Sequence, residues 1–499
     1  MAPGRPTPRC SGRAGCPSWS TSTPTRRHRS SGPDWAGHAH VVVEAGGPYD
    51  LGVAFSRFRT ETTVKICVVA LGKIGLPLAV QFASKGHDVV GVDVNQATVD
   101  TVNEGHEPFP GEAHLEEKLQ ELVPAGRLRA TTDYADAVPG ADAIVLVVPL
   151  FVDGDGKPDF GWMDGATREL AKHLTAGTLV SYETTLPVGT TRNRWKPMIE
   201  EISGLVEGKD FHLVFSPERV LTGRVFEDLR KYPKLIGGLS EAGADKAREF
   251  YEAVLDFDDR PDLERGNGVW DLGSAEASEL AKLAETTYRD VNIGLANQFA
   301  QFAATQGIDV FQVIDASNSQ PYSHIHRPGI AVGGHCIPVY PRLYLHTDPS
   351  ATVVSAARAA NAAMPAYTTN LLEGAHGSLT GEKVVVLGAA YRGGVKETAF
   401  SGVFDTVTSL KGLGADVVVH DPMYTDEELE ALGFAAYHLG EQVDAAVIQA
   451  DHAEYRDLKP ADLPGLKTLV DGRRLTKSED WPGITHRTVG VAATEPAAG

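Results

Sequence analysis

The chain has 499 residues, 42% apolar and 22% charged, a composition that suits two or three ordinary folded domains. A formal net charge of -20 argues against a nucleic-acid surface, and no apolar run approaches the length needed to cross a bilayer. Four cysteines (Cys10, Cys16, Cys67 and Cys336) are too few and too scattered for a disulfide framework or a zinc site, so reduced thiols, a cytoplasmic setting and no bound metal are expected.

Residues 1–62 are rich in Pro, Ser, Thr, Arg and Gly and read as a disordered basic and polar extension, unable to bury enough apolar surface to offset its ordering entropy. The first apolar run, Val64 to Leu71, has the pattern of a buried parallel strand. A turn, Gly72-Lys73-Ile74-Gly75, leads into a helical pattern from Leu76 through Ala83, and a second strand, Asp88 to Val92, ends at Asp93. Further strands are expected at Ala143–Val148 and Thr178–Tyr182. The helical pattern from Ser274 to Thr305 suits a connector and a dimer interface, with Leu280, Leu283, Ala284, Thr287, Val291, Leu295 and Phe299 at three- and four-residue spacing. A second alternating region follows, with strands at Lys383–Gly388, Ala415–Pro422, Ala445–Gln449 and Thr468–Asp471. The fold class is therefore α/β: two Rossmann-like, doubly wound parallel-sheet domains joined by a long central helix.

Strand, glycine turn, helix, strand and acid in about thirty residues is the pattern of a dinucleotide site. Gly72 and Gly75 permit close approach to a pyrophosphate, the helix N-terminus attracts it, and Asp93 is placed to bind ribose hydroxyls, which favours NAD. The fingerprint opens with glycine, whereas this turn opens with Ala70, whose methyl group crowds it. Cys336 lies in a glycine-flanked loop, Val332 to Pro338, where a thiol can approach a carbonyl carbon; a buried structural cysteine is the plain alternative. Lys282, on the long helix, is a solvated lysine unless it lies beside Cys336, where it would stabilise an oxyanion and hold the thiolate. Glu218, after an expected strand end, is a candidate base or a helix cap.

The segments Leu71 to Ala79, Thr184 to Thr191, Ser216 to Val220, Pro233 to Gly238, Tyr288 to Ile293, Gly333 to Pro338 and Ala390 to Arg392 occur in the order of a known family. From about Thr63 to Gly490 the chain resembles the nucleotide-sugar 6-dehydrogenases, and Ser216 to Val220 and Gly333 to Pro338 are more like the UDP-N-acetylhexosamine branch than the UDP-glucose branch. The resemblance implies oxidation of a sugar C6 alcohol to a carboxylate in two hydride transfers to NAD. It makes Cys336 the nucleophile, Lys282 the oxyanion stabiliser, Glu218 the carboxylate assisting thioester hydrolysis and Thr185 the group that positions water. Gly72, Ile74, Gly75, Asp93 and Thr185 would contact NAD; Glu218, Lys282, Gly333 and Arg392 would contact the nucleotide sugar. It also implies a homodimer through the central helix; charge and the lack of a long apolar run are what argue against nucleic-acid and membrane partners. The expected domains are 63–265 for NAD, 266–375 for dimerisation and the cysteine loop, and 376–490 for the nucleotide sugar.

Several family positions differ. Asparagine four residues after the lysine is Thr286, and aspartate four residues after the cysteine is Tyr340. The arginine that reaches the neighbouring subunit's sugar is Tyr322, and an arginine in the nucleotide half is Ala399. These changes leave open a two-electron oxidation or an epimerisation, or a binding role without catalysis.

Overall fold

The computed structural model describes residues 63–153 and 156–492; the extension 1–62 lies outside them. The first half contributes β1 (Lys65–Val69), β2 (Asp88–Val92), β3 (Leu128–Thr131), β4 (Ala143–Leu146), a small antiparallel hairpin of β5 (Phe151–Val152) and β6 (Pro158–Asp159), β7 (Leu179–Tyr182), β8 (His212–Phe215), β9 (Lys234–Gly238) and β10 (Val269–Asp271). Eight of these form one sheet in the order β10-β9-β8-β7-β4-β1-β2-β3. Neighbours from β3 to β8 pair in parallel; β9 meets β8 antiparallel, so the sheet is mixed at that edge. The chain reverses strand order at β1, which opens the crevice between β1 and β4 where ligands of such sheets bind.

The apolar runs become strands because both faces of the sheet are covered. Ile66 and Val68 belong to one apolar layer with Leu76 and Phe82, while Cys67 and Val69 belong to the other with Ile144, Leu146 and Trp195. A polar residue at either parity would leave an unpaired group in a dry layer. Burial pushes the Cys67 thiol up to about 12, so it is an inert core side chain.

The second sheet comprises β11 (Lys383–Leu387), β12 (Asp416–His420), β13 (Ala435–Ala436), β14 (Ala445–Ile448), β15 (Thr468–Asp471) and β16 (Thr485–Thr488), all parallel, in the order β13-β12-β11-β14-β15-β16. Its β11 alternates in the same way, with Val384 and Val386 in one layer and Val385 and Leu387 in the other.

Between the sheets runs a single helix, Ala275–Thr305, capped by the Ser274 side chain on the Ala277 N–H. The residues at apolar spacing divide between its two faces. Leu283 and Thr287 are buried, but Leu280, Leu295 and Phe299 are exposed, together with Tyr288 and Phe302. The buried face is instead polar, carrying Ser278, Glu279, Lys282, Thr286, Asp290 and Asn297. This inversion places chemistry-bearing side chains inward and an apolar stripe outward.

Candidate active site

The glycine turn begins with strain. Ala70 has φ 76°, the left-handed region where the dinucleotide fingerprint has glycine, and this turn ends β1 two residues before the apolar run does. Its N–H still donates to the Val92 carbonyl at 2.8 Å, and a Cβ on Gly75 would collide with the Ala70 carbonyl oxygen. Ala70→Gly should therefore raise stability by about 1 kcal/mol, read as a shifted urea midpoint at constant m-value.

Beyond the turn the helix Gly75–Ser84 starts, with Pro77 in its first turn where no N–H is needed. Asp93 stands at the end of β2, its carboxylate oriented by the Leu71 N–H at 2.8 Å and the Asn95 N–H at 2.9 Å. Nothing lies within 4 Å of the space a Cβ would take on Gly72. An open turn, a free helix N-terminus and an oriented carboxylate fit a dinucleotide lying across β1. Gly72 and Gly75 shape the turn, Ile74 occupies the N-cap position without a side-chain cap, and Asp93 stands at the end of β2.

At the carboxyl ends of β7 and β8 stand Thr185 and Glu218. Glu218 pairs with Lys234, the first residue of β9, and the same ammonium meets Glu183 at 3.0 Å. Tyr251 donates to Glu183 at 2.5 Å, exchanges a 2.7 Å hydrogen bond with Ser181 and places its ring 4.6 Å from the Lys234 nitrogen. The buried lysine thus holds two carboxylates at one sheet edge and fixes the Glu218 side chain. Burial lowers the Lys234 pKa below the ordinary lysine range, opposed by Glu183.

The long helix faces this edge. Glu279, fully buried, accepts from the Gly189 N–H at 2.5 Å, the Thr191 N–H at 3.0 Å and the Thr191 hydroxyl at 2.7 Å. It ties the loop that carries Thr185 to the helix that carries Lys282, three residues further on. Burial pushes the Glu279 carboxyl up to about 7 despite those donors. The unfolded carboxyl therefore loses its proton first, and this group lowers stability as pH rises from about 4.5 to 7, by on the order of 3 kcal/mol in total. Glu279→Gln should flatten that stretch of the stability–pH curve, as denaturation at a series of pH values would show.

Lys282 is buried, contrary to a solvated reading, and no carboxylate lies within ion-pair distance of it among the described residues. Burial lowers its pKa; Glu285 and the Cys336 sulfur act against that, while Arg219 and Arg289 act with it. Glu285 itself faces Arg219 at 4.0 Å and Arg289 at 3.9 Å. Thr286 does not replace the missing asparagine as a donor: its hydroxyl turns back to the carbonyls of Lys282 and Leu283, each at 3.1 Å.

The cysteine loop is held to the same polar helix face. Asn297 accepts from the Gly329 N–H at 3.0 Å and donates to Asn361 at 2.9 Å; Asn361 donates to Asp290 at 2.7 Å. Arg358 pairs with Asp290 at 3.0 Å and reaches the Ile337 carbonyl at 3.4 Å. On its other side the loop meets the second half: the Gly334 N–H, at φ 87°, donates to the Ala399 carbonyl at 3.0 Å, and a Cβ on Gly333 would press on Tyr391. Cys336 is exposed, in contrast to Cys67.

Its carbonyl accepts the Tyr340 N–H at 2.9 Å, so residues 336 and 340 share one face of the turn that starts the helix Tyr340–Thr347. Burial pushes the Tyr340 phenol above its ordinary pKa range; the nearby Cys336 sulfur acts with burial and Thr185 against it. Cys336 lies within electrostatic range of Lys282, and Lys282 within that of Lys234, which holds Glu218.

Arg392 is exposed beside Tyr391, with no contact to the thiol, and Tyr322 is almost wholly exposed. A bridge not anticipated from the sequence runs from Lys73 of the glycine turn through Glu397, 3.9 Å away, to His335 at 3.7 Å from that carboxylate. In the second half Asp421 occupies the place Asp93 has in the first, but its carboxylate is filled by the Ala389, Ala390 and Met423 N–H groups and by His452 at 3.1 Å. Glu183, Lys234, Glu279 and the Asp290–Arg358 pair were not anticipated; the charged residue opening an apolar strand at Lys234 was the available signal.

A dinucleotide cradle, an exposed thiol and a buried cation on one chain fit an NAD-dependent oxidoreductase. Three family models match the chain: the UDP-glucose/GDP-mannose dehydrogenase family NAD binding domain over residues 64–255, its central domain over 276–363 and its UDP binding domain over 385–478. The UDP-N-acetyl-D-mannosamine dehydrogenase of Pyrococcus horikoshii is 34% identical over 437 residues, covering 86% of this chain and 99% of that protein. Its solved structure superposes with a TM-score of 0.73 at 33% identity, over 85% of this chain and 99% of that one. A UDP-glucose dehydrogenase from Pyrobaculum islandicum gives 0.75 at 27% identity, covering 87% and 99%. The chain belongs to the UDP-glucose/GDP-mannose dehydrogenase family, as an NAD-dependent nucleotide-sugar dehydrogenase. No helix among the described residues is long and apolar enough to cross a membrane.

Proposed function

We propose that this enzyme oxidises the C6 alcohol of a UDP-N-acetylhexosamine to the uronic acid, keeping the intermediate on Cys336. The carrying observation is a buried lysine, Lys282, with no ion-pair partner among the described residues, beside the exposed thiol of Cys336. A desolvated cation without a partner stabilises negative charge that appears only during reaction. NAD, held by Gly72, Ile74, Gly75 and Asp93, supplies the hydride acceptor for both oxidation steps.

The Cys336 sulfur bonds to C6 of the aldehyde, and the thiol proton goes to the former carbonyl oxygen, whose charge Lys282 balances as the bond forms. Oxidation of that thiohemiacetal gives a thioester. Water held by Thr185 then attacks, Glu218 takes its proton, the C6–S bond breaks and the thiol is restored. Gly333 lets the cysteine loop close against the second half, to whose Arg392 we assign the nucleotide. The N-acetylhexosamine preference is supported by the relatives that are UDP-N-acetyl-D-mannosamine dehydrogenases, from P. horikoshii and, at 33% identity over 71% of this chain, Campylobacter jejuni. The three matched segments lie within the limits 63–265, 266–375 and 376–490, which we take as the domains.

The exposed apolar stripe of the long helix, Leu280, Tyr288, Leu295, Phe299 and Phe302, supports a homodimer through that face. A reducing cytoplasmic setting suits the free thiol.

The turned-back hydroxyl of Thr286 favours a second reading, a two-electron oxidation that stops at the aldehyde, because the oxyanion site has one donor fewer. Purified protein, NAD and a panel of UDP-hexoses and UDP-N-acetylhexosamines test both. The proposed reaction gives two NADH for each sugar acid on an N-acetylated substrate. One NADH per sugar supports the second reading, and turnover of UDP-hexoses alone overturns the substrate assignment.

A further inference from the structure

We propose that a cleft between the β5–β6 hairpin and the helices Tyr340–Thr347 and Thr352–Ala362 is a binding site for a phosphate monoester, held through Arg342 and Lys157. The cleft has a volume of about 500 Å³. Lys157, Arg342, His346 and Arg358 line it, so four basic side chains share one cleft on a chain of formal net charge -20. No residue assigned above to the thiol, the dinucleotide or the sugar is among its lining, so the site is separate from the reaction.

One of the four is already neutralised: Arg358 pairs with Asp290 at 3.0 Å. Lys157, Arg342 and His346 join no ion pair among the described residues, and the Arg342 guanidinium makes no hydrogen bond there. The carboxylates closest to them in the chain are turned to backbone N–H groups. Asp153 accepts from Lys157 at 2.8 Å, Asp159 from Gly161 at 2.9 Å and Asp348 from Ser350 at 3.2 Å. Arg342 is half-buried and lies against a glycine. A Cβ on Gly156, at φ 79°, would stand 2.9 Å from the Arg342 Cδ and 3.2 Å from its Nη1, so the hairpin leaves room for the guanidinium stem to cross it. Burial holds Arg358 below the ordinary arginine range, Asp290 opposes that, and Arg342 acts with burial. A dianion in the cleft relieves the repulsion between the two guanidiniums.

The ligand class follows from these groups. A guanidinium fork matches phosphate oxygens in pairs, and the surplus cations Arg342 and Lys157 call for two negative charges, which a phosphate monoester carries near neutral pH. The volume exceeds that of a bare phosphate, and Leu345 and Ala362 give the cleft an apolar wall for the rest of the molecule.

The test uses the full chain with saturating NAD, phenylglyoxal as the arginine reagent, and the mass of the peptide that carries Arg342. Phenyl phosphate and inorganic phosphate are the probes, at constant ionic strength set with chloride. Phenyl phosphate should slow Arg342 modification about tenfold at saturation, and do so at about tenfold lower concentration than inorganic phosphate. Arg265, exposed and outside the cleft, should react at an unchanged rate. Lys157 is exposed, so Lys157→Gln disturbs no core; it should raise the half-effect concentration of phenyl phosphate about threefold. No protection of Arg342, equal protection of Arg265, or an unchanged half-effect in Lys157→Gln would overturn the proposal. Equal potency of the two phosphates would overturn the ester assignment. The readout needs no sugar turnover, so its failure is distinct from failure of the reaction proposed above.

Discussion

Replacing Cys336 by serine should abolish uronic acid formation, with a loss of about three orders of magnitude or more, while the first oxidation persists in part. A serine hydroxyl has no thiolate-like population at neutral pH and forms no thioester to hydrolyse. The variant is expected to release aldehyde or its hydrate, with the NADH yield falling from two per sugar towards one. Product mass alongside NADH absorbance reads both quantities, and acid formation at the unaltered rate would remove the covalent route.

Lys282→Met should cost about two to three orders of magnitude in turnover and make the fold more stable. The two effects share one cause. A buried ammonium without a carboxylate is desolvated in the resting enzyme and is useful only when an oxyanion forms. Burial sets the folded pKa of Lys282 below its unfolded value, so between those values the unfolded chain binds more protons and stability rises with pH. The penalty is complete below the folded pKa and fades on approach to the unfolded one. In Lys282→Met that alkaline rise should disappear, with higher stability at neutral pH measured by urea denaturation. A variant that lost activity and stability together would mark Lys282 as a structural residue.

The architecture was legible wherever local pattern and tertiary environment agree. The run Val64 to Leu71, the glycine turn and Asp93 predicted β1, its helix and β2 because a doubly covered parallel sheet demands short, continuous apolar strands. Departures came where function overrides pattern. Ala70 takes the left-handed conformation of a glycine and ends β1 early. On the long helix, Leu280, Leu295 and Phe299 stand outward, while the inward face carries polar groups, one of which, Asn297, braces the cysteine loop, a division the spacing alone does not reveal.

Lys282 shows the limit most sharply. Read alone it is a solvated lysine, and nothing local reveals that the helix turns it towards Cys336, 54 residues later in the chain. The Lys234 clamp was hidden for the same reason, since Glu183 lies 51 residues before it and the pair exists only through strand order. The reversal of β9 against β8, which brings Lys234 there, also carried no local signal.

The most direct measurement is the mass of the Cys336-bearing peptide after acid quench during steady turnover with NAD and a UDP-N-acetylhexosamine. The account predicts a fraction of that peptide carrying the sugar nucleotide as a thioester, absent without NAD. Steady accumulation of uronic acid with that peptide always unmodified would contradict it.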